Sequence, residues 1–222
     1  MMVLIACESS AAVRDAFTAA GHDATSCDLL PSESPGKHYQ GDVRDLLGED
    51  WDILIAHPPC TYLSSSGLHW NTRRPERAAQ TDDAVKFANL FINGCKHIPL
   101  RGVENPIGCL STRIRKPDQI IQPWQFGADA SKSTCLWLVG LPLLMPTQYI
   151  EPRMVCCGET LANSVGRYGC ANCLGTNKIA KRWANQTDSG QNKLTPSPDR
   201  WKARSLTYPG IAAAMAAQWG RL

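Results

Sequence analysis

Two short runs carry groups capable of covalent and acid–base chemistry. The first is His57-Pro58-Pro59-Cys60, which closes the apolar run Trp51 to Ala56. Two prolines stiffen this turn and remove two backbone donors, so the thiol that follows is held in a fixed position. A thiolate held that way is a soft nucleophile, suited to adding to a ring carbon such as C6 of a pyrimidine. The second run is Val103-Glu104-Asn105-Pro106. Attack at C6 pushes negative charge into the ring, and a protonated carboxyl at N3 would stabilise it. Taken singly, each run has a plainer reading: Cys60 as a core thiol, Glu104 as a solvated turn carboxylate.

Two further acids sit at places where a nucleoside could bind. Asp28 ends the run Asp23 to Asp28, and an acid at the end of a second strand typically accepts from ribose hydroxyls. Asp42, in Gly41-Asp42-Val43, could accept from an adenine amine. Either could equally be a turn or capping residue. The loop Ala6-Cys7-Glu8-Ser9-Ser10-Ala11-Ala12 has small residues that permit close backbone approach. It lacks Gly-x-Gly-x-x-Gly, so it suits a cofactor without phosphates.

A third group is made of thiols: Cys156-Cys157 and Cys170-Ala171-Asn172-Cys173. A Cys-x-x-Cys turn lets two thiolates bind one ion, and four thiolates would make a closed structural zinc site. The other reading is a set of free cysteines in a loop. Basic and aromatic residues follow: Lys178, Lys181, Arg182, Trp183, Lys193, Arg200, Trp201, Lys202 and Arg204. They suit phosphate and base contacts, or an ordinary solvated surface. Arg73, Arg74 and Arg77 form a smaller cluster after Cys60, suited to a DNA backbone or to a helix start.

The elements that must position these groups alternate strand and helix. Val3 to Ala6 reads as a buried strand, and Ser9-Ser10 as the cap of a helix from about Ala11 to Ala20, stopped at Gly21. Asp23 to Asp28, Trp51 to Ala56, Gly102 to Pro106 and Ser133 to Val139 read as strands. Pro75 to Gly94 reads as a helix, with Ala84, Phe87, Ala88 and Phe91 at helical spacing. The expected fold class is α/β, with a mostly parallel sheet and ligands at the carboxyl ends of its strands. Glu8, Asp28, Asp42, Cys60 and Glu104 all fall there.

The 222 residues suit one domain with a small insertion. Hydrophobic residues at 43% supply a sizeable core, and a net charge of +3 permits a polyanionic partner without demanding one. The expected boundaries are 1–145 for the catalytic domain, 146–203 for a small Cys-rich, zinc-binding insertion, and 204–222 for a C-terminal segment and helix. No signal peptide or membrane span is read. The ten cysteines then point to a reducing, cytoplasmic setting.

In order along the chain these pieces resemble the cytosine-C5 DNA methyltransferases, especially short phage and prophage-type members. Leu4 to Ser10 matches their cofactor loop, Cys27-Asp28-Leu29 the ribose-binding acid, and Gly41-Asp42-Val43 the adenine contact. Ala56 to Ser64 carries the Pro-Cys motif, Val103 to Pro106 the Glu-Asn motif, and Arg204 to Ala212 the closing segment. The resemblance implies a Rossmann-like methyltransferase domain acting on DNA with S-adenosylmethionine in a bacterial host cell. It implies Cys60 and Glu104 as catalytic residues, with Lys132 in the place of the family's missing Arg-x-Arg. Cys7, Glu8, Ser9, Ser10, Asp28, Leu29, Asp42, Val43 and Pro58 would meet the cofactor. Pro59, Asn105 and Arg204 would meet the substrate. The family's Phe-x-Gly-x-Gly-Gly loop is absent. No membrane or protein partner is implied.

Competing readings are a cytosine-C5 alkyl transferase using a modified S-adenosylmethionine, and a non-catalytic zinc-containing DNA-binding protein on a degenerate methyltransferase scaffold. A free nucleotide as substrate is a third. An amino-group methyltransferase would carry an aromatic where Cys60 stands. A zinc deaminase needs Pro-Cys-x-x-Cys, which Thr61-Tyr62-Leu63 does not supply.

Overall fold

The computed structural model describes residues 1–156, 159–160, 179–197 and 200–222. The chain divides into two compact units. The first holds Met1–Ile121, Ser133–Met145 and Thr207–Leu222; the second holds Gln122–Lys132 and Pro146–Leu206.

The first unit is α/β. Its strands in chain order are β1 (Met2–Ala6), β2 (Asp23–Asp28), β3 (His38–Gln40), β4 (Ile53–Ala56), β5 (Leu100–Pro106), β6 (Gln119–Ile121) and β7 (Thr134–Val139). They form one seven-stranded sheet in the order β3-β2-β1-β4-β5-β7-β6. Strands β1 to β5 pair in parallel, while β7 runs antiparallel to both β5 and β6. The expected α/β class with a mostly parallel sheet is thus present. Strands β1 and β4 are apolar along their length because both faces of the sheet are covered; Val3 to Ala6 and Ile53 to Ala56 are all buried.

The order reverses between β1 and β4. In open α/β sheets such a switch point leaves a crevice beyond the carboxyl ends of its two strands, here β1 and β4. The chain beyond Ala6 and the chain beyond Ala56 therefore border the same crevice.

Helix α1 (Ala12–Ala19) follows β1. Its start differs from the expected serine cap. The Glu8 carboxylate accepts from the Val13 amide at 2.8 Å and the Arg14 amide at 3.2 Å, whereas Ser10 Oγ lies 3.5 Å from the Ala12 amide. A short α2 (Ser65–Leu68) precedes α3 (Pro75–Asn89), which opens with proline in its first turn. The expected helix to Gly94 is α-helical only to Asn89. Leu90–Gly94 is a π turn, closed by Cys95 N donating to Leu90 O at 3.1 Å. The wider turn buries both Phe91 and Ile92, with Phe87 edge-on to Phe91 at 5.0 Å. A short α4 (Leu110–Arg113) follows β5.

In the second unit, β8 (Arg153–Cys156) pairs antiparallel with β9 (Glu159–Thr160) and β10 (Ile179–Arg182). Trp124 and Trp183 stack at 5.6 Å, and Arg153 forms an ion pair with Asp188. The Asp129 carboxylate accepts from the Ala184 amide at 2.8 Å, and the Asn185 side chain bridges both backbone groups of Ser131. The unit ends with α5 (Arg200–Ser205). Back in the first unit, α6 (Pro209–Trp219) is apolar almost all round and packs against α1.

Candidate active site

Parallel pairing of β4 with β5 sets Ala56 opposite Val103, so the next residues, His57 and Glu104, leave their strands side by side. His57 Nδ1 lies 3.3 Å from a Glu104 carboxylate oxygen. Both side chains are largely buried, 10% and 14% exposed. One residue further on, the Asn105 amide donates to the Pro58 carbonyl at 2.7 Å. Asn105 and Pro58 are buried, Pro59 is exposed and Cys60 is half-buried. Two side-chain atoms here, His57 Nε2 and Asn105 Oδ1, are buried without a partner among the described residues. Buried polar atoms seldom go unpaired, so both are poised for a water or a ligand group.

Cys60 opens a tight turn. Its carbonyl accepts from the Leu63 amide at 3.0 Å and the Ser64 amide at 2.9 Å. The far side of the turn is tied to the chain after β5. Cys109 N donates to Leu63 O at 2.9 Å, Ser65 N donates to Ile107 O at 3.0 Å, and Ser64 bridges Gly108. At Gly108 a Cβ would overlap the Leu63 carbonyl. Only glycine admits this approach. Helix α3 holds the turn from another side. Arg77 donates to the Thr61 carbonyl at 2.8 Å, with its guanidinium 4.6 Å from the Tyr62 ring centroid. Thr81 Oγ1 donates to the Tyr62 carbonyl at 3.1 Å.

The three arginines after Cys60 thus have different work. Arg77 latches the turn that Cys60 opens. Arg73 and Arg74 lie over the exposed Trp70 ring at 5.5 and 5.6 Å.

The loop after β1 holds Cys7 and Ala11 at φ 61° and 64°, in the left-handed region that side-chain-bearing residues rarely occupy. Burial pushes the Cys7 thiol far above its ordinary range, and the nearby Asp28 carboxylate adds to this; Cys27 rises to about 11 for the same two reasons. These thiols stay protonated and are poor nucleophiles. Glu8 is 4% exposed, and its carboxylate fills the start of α1. The Ser9 carbonyl accepts from the Glu33 amide at 2.8 Å, which ties this loop to the one after β2. That second loop is organised by the buried Arg14, which donates to Ser32 Oγ and to the carbonyls of Ser34 and Pro35.

At the end of β2, one Asp28 oxygen accepts from the Leu30 amide at 2.9 Å. The half-buried carboxylate keeps acceptor capacity for hydroxyls. Leu29 and Leu30 beside it are 73% and 43% exposed, apolar surface a flat ring could cover. Asp42 caps the turn Val43–Asp45 through the Arg44 amide at 3.0 Å and is gripped by the Arg44 guanidinium. That grip holds its carboxyl down at about 2. Val43 is buried.

Cys60, Glu104, Asn105, Pro58 and Pro59 are brought together in the first unit. Lys132 and Arg204 belong to the second. There the Lys132 amide donates to Gln122 Oε1 at 2.9 Å, its Nζ lies 3.4 Å from the Leu206 carbonyl, and Arg204 is exposed in α5. Of the four thiols read as zinc ligands, Cys156 ends β8 and is buried; Cys157, Cys170 and Cys173 lie outside the described residues. Among the described residues no cluster of three His, Cys, Asp or Glu could hold a metal. Nor is any helix among them long and apolar enough to cross a membrane.

Sequence reasoning missed three working residues. His57 was read only as part of the turn. Its partner could have been found by aligning the ends of the two neighbouring strands. Arg77 belongs to a cluster suited by sequence to a DNA backbone or a helix start, not to holding the turn after Cys60. Gly108 had no sequence signal.

No family model matches the chain, and no curated protein matches it. The solved structures similar to this chain include the following two. One is an E. coli chain assigned as a DNA modification methyltransferase encoded within a prophage, at 14% identity and a TM-score of 0.40. That likeness covers 68% of this chain and 52% of the other, so the chain spans about half the length of that relative. The other is the Entamoeba histolytica methyltransferase EhMeth, at 8% identity and a TM-score of 0.48, covering 100% of this chain and 97% of the other.

Proposed function

We propose that this chain is an S-adenosylmethionine-dependent DNA cytosine-C5 methyltransferase with Cys60 as its nucleophile. The observation that carries the reading is the pairing of β4 with β5. It sets a thiol turn and a Glu-Asn pair side by side at the carboxyl ends of β4 and β5, with Asn105 bonded to Pro58 across them.

The first loop and the end of β2 fit the cofactor. Asp28 can accept from ribose hydroxyls, the exposed Leu29 can lie against adenine, and Asp42 can accept from its amine. Glu8 already occupies the helix start where a phosphate would bind, which favours a cofactor without one. When bound, S-adenosylmethionine supplies the electrophilic methyl group.

The chain's own part is to present the base. The target cytosine must leave the DNA stack to reach the thiol. Cys60 Sγ bonds to C6, and the electron pair of the C5–C6 double bond moves into the ring. Glu104 hydrogen-bonds the N3 and N4 edge and supports the proton taken up at N3. Asn105 keeps the Cys60 turn in register with Glu104. This explains why the two motifs are tied by a buried hydrogen bond.

The test is to incubate the protein with cytosine-containing DNA and S-adenosylmethionine, digest the DNA, and weigh the nucleosides. A 5-methylcytosine peak that is lost in Cys60→Ala supports the reading. A modified cytosine of another mass would replace methyl with a larger group. No modified base on single- or double-stranded DNA of varied sequence would overturn the reading.

A further inference from the structure

Glu104 is asked to protonate a ring nitrogen, yet an ordinary glutamate holds no proton at neutral pH. The residue beside it bears on that problem. His57 Nδ1 lies 3.3 Å from the Glu104 carboxylate, and both groups are nearly nine-tenths buried. Burial penalises an isolated charge far more than a neutral pair or an adjacent ion pair. The inexpensive states of this pair therefore hold one proton between carboxylate and imidazole.

The other face of the imidazole strengthens the case. His57 Nε2 is buried with no partner among the described residues. A histidine kept only for packing would have both nitrogens satisfied, because an orphaned polar atom costs about 1–3 kcal/mol. The chain bears that cost at the residue that immediately precedes the Pro-Pro-Cys turn.

We propose that His57 and Glu104 act as one acid, with His57 delivering through Glu104 the proton that cytosine takes up at N3. This inference rests on the cytosine-C5 reading above. The step balances as follows. The Cys60 Sγ–C6 bond forms as the C5–C6 π pair moves into the ring. The shared proton moves from His57 Nδ1 to the Glu104 carboxylate, and the carboxyl so formed passes it to N3, leaving a neutral imidazole and a carboxylate. When Cys60 departs, the N3 proton returns along the same path. His57 touches no substrate atom in this scheme and is a positioning and proton-supplying residue.

The experiment has two readouts. The first is 15N-detected imidazole NMR of the free protein, which has only five histidines. Glu104→Gln should shift the His57 resonances and leave the other four in place. An unmoved His57 signal overturns the pair, whatever the reaction is. The second readout is the rate at which Cys60 forms a covalent adduct with DNA containing 5-fluorocytosine, in the presence of S-adenosylmethionine. His57→Ala and His57→Gln should both slow adduct formation by roughly 10²-fold, without weakening DNA binding. His57→Gln keeps an amide donor for Glu104 but cannot pass a proton. A His57→Gln variant as fast as wild type overturns proton delivery and leaves a holding role alone. A wild-type protein that forms no adduct at all, with the NMR pair intact, overturns the cytosine-C5 reading and the relay with it.

Discussion

Asn105 donates a hydrogen bond of 2.7 Å to the backbone carbonyl of Pro58, joining the Pro-Pro-Cys turn to the Glu-Asn run. Both partners are buried, so removing the donor leaves a buried carbonyl unsatisfied. Asn105→Ala should cost about 1–3 kcal/mol of stability. Chemical denaturation reads that loss. Activity should fall further than the lost stability accounts for, because the Cys60 turn loses its register with Glu104.

Gly108 offers a sharper probe of the same turn. A methyl at this position would collide with the Leu63 carbonyl, a backbone atom that cannot swing away as a side chain could. Gly108→Ala should destabilise the protein by about 1–3 kcal/mol. The melting temperature should drop by several degrees. Gly48→Ala is the control, since a Cβ there meets nothing within 4 Å.

Arg77 reports on the latch from α3. Its bond to Thr61 and its place over Tyr62 are surface interactions, worth about 0.5–1 kcal/mol each. Arg77→Ala should lower the melting temperature by only a few degrees but lower kcat by about tenfold, equivalent to about 1.4 kcal/mol in the barrier. Arg77→Lys should not rescue it, because an ammonium cannot reproduce the planar stacking on Tyr62. Steady-state kinetics on a saturating DNA substrate distinguishes this from a role in DNA contact, which would raise KM instead.

Asp42 makes a prediction in pH. Its folded carboxyl titrates at about 2, against an ordinary value near 3.8, so the ionised form is favoured by folding. The sign follows: the stabilisation is fully present above about pH 4 and is lost as pH falls toward 2. The pair with Arg44 is exposed, so its contribution should be small and shrink with salt. Asp42→Asn should therefore flatten the acid limb of the stability curve slightly. At neutral pH its main effect should be on cofactor affinity, read by titration calorimetry.

The parts legible in the sequence were those carried by periodicity and by strand ends. The apolar runs Val3 to Ala6 and Ile53 to Ala56 became central strands, and the acids and thiol beyond such runs came to the sheet's carboxyl edge. What escaped was set by register. The His57–Glu104 contact exists because Ala56 pairs with Val103, and two strands separated by a whole helix do not announce their pairing. The start of α1 misled for a local reason. Two serines looked like the cap, but a left-handed Ala11 turns the chain so that Glu8 reaches the free amides first. Strands β3 and β6 were too short to show alternation. Arg14 gave no sign that it would be buried, since its value lies in the carbonyls of a loop twenty residues away.

The carboxylate of Glu8 also has a meaning for selectivity in the cell. Most adenosine there is carried on polyphosphates, which share the ribose and the base with any adenosyl cofactor and differ only in what hangs from the 5′ carbon. On the proposed reading, a helix start filled by the protein's own anion would repel that phosphate tail and favour a sulfonium cation. With the cofactor site as proposed, the loop after β1 would sort nucleosides by the sign of their charge before it read their shape, and abundant ATP would be turned away by a residue that never touches its base.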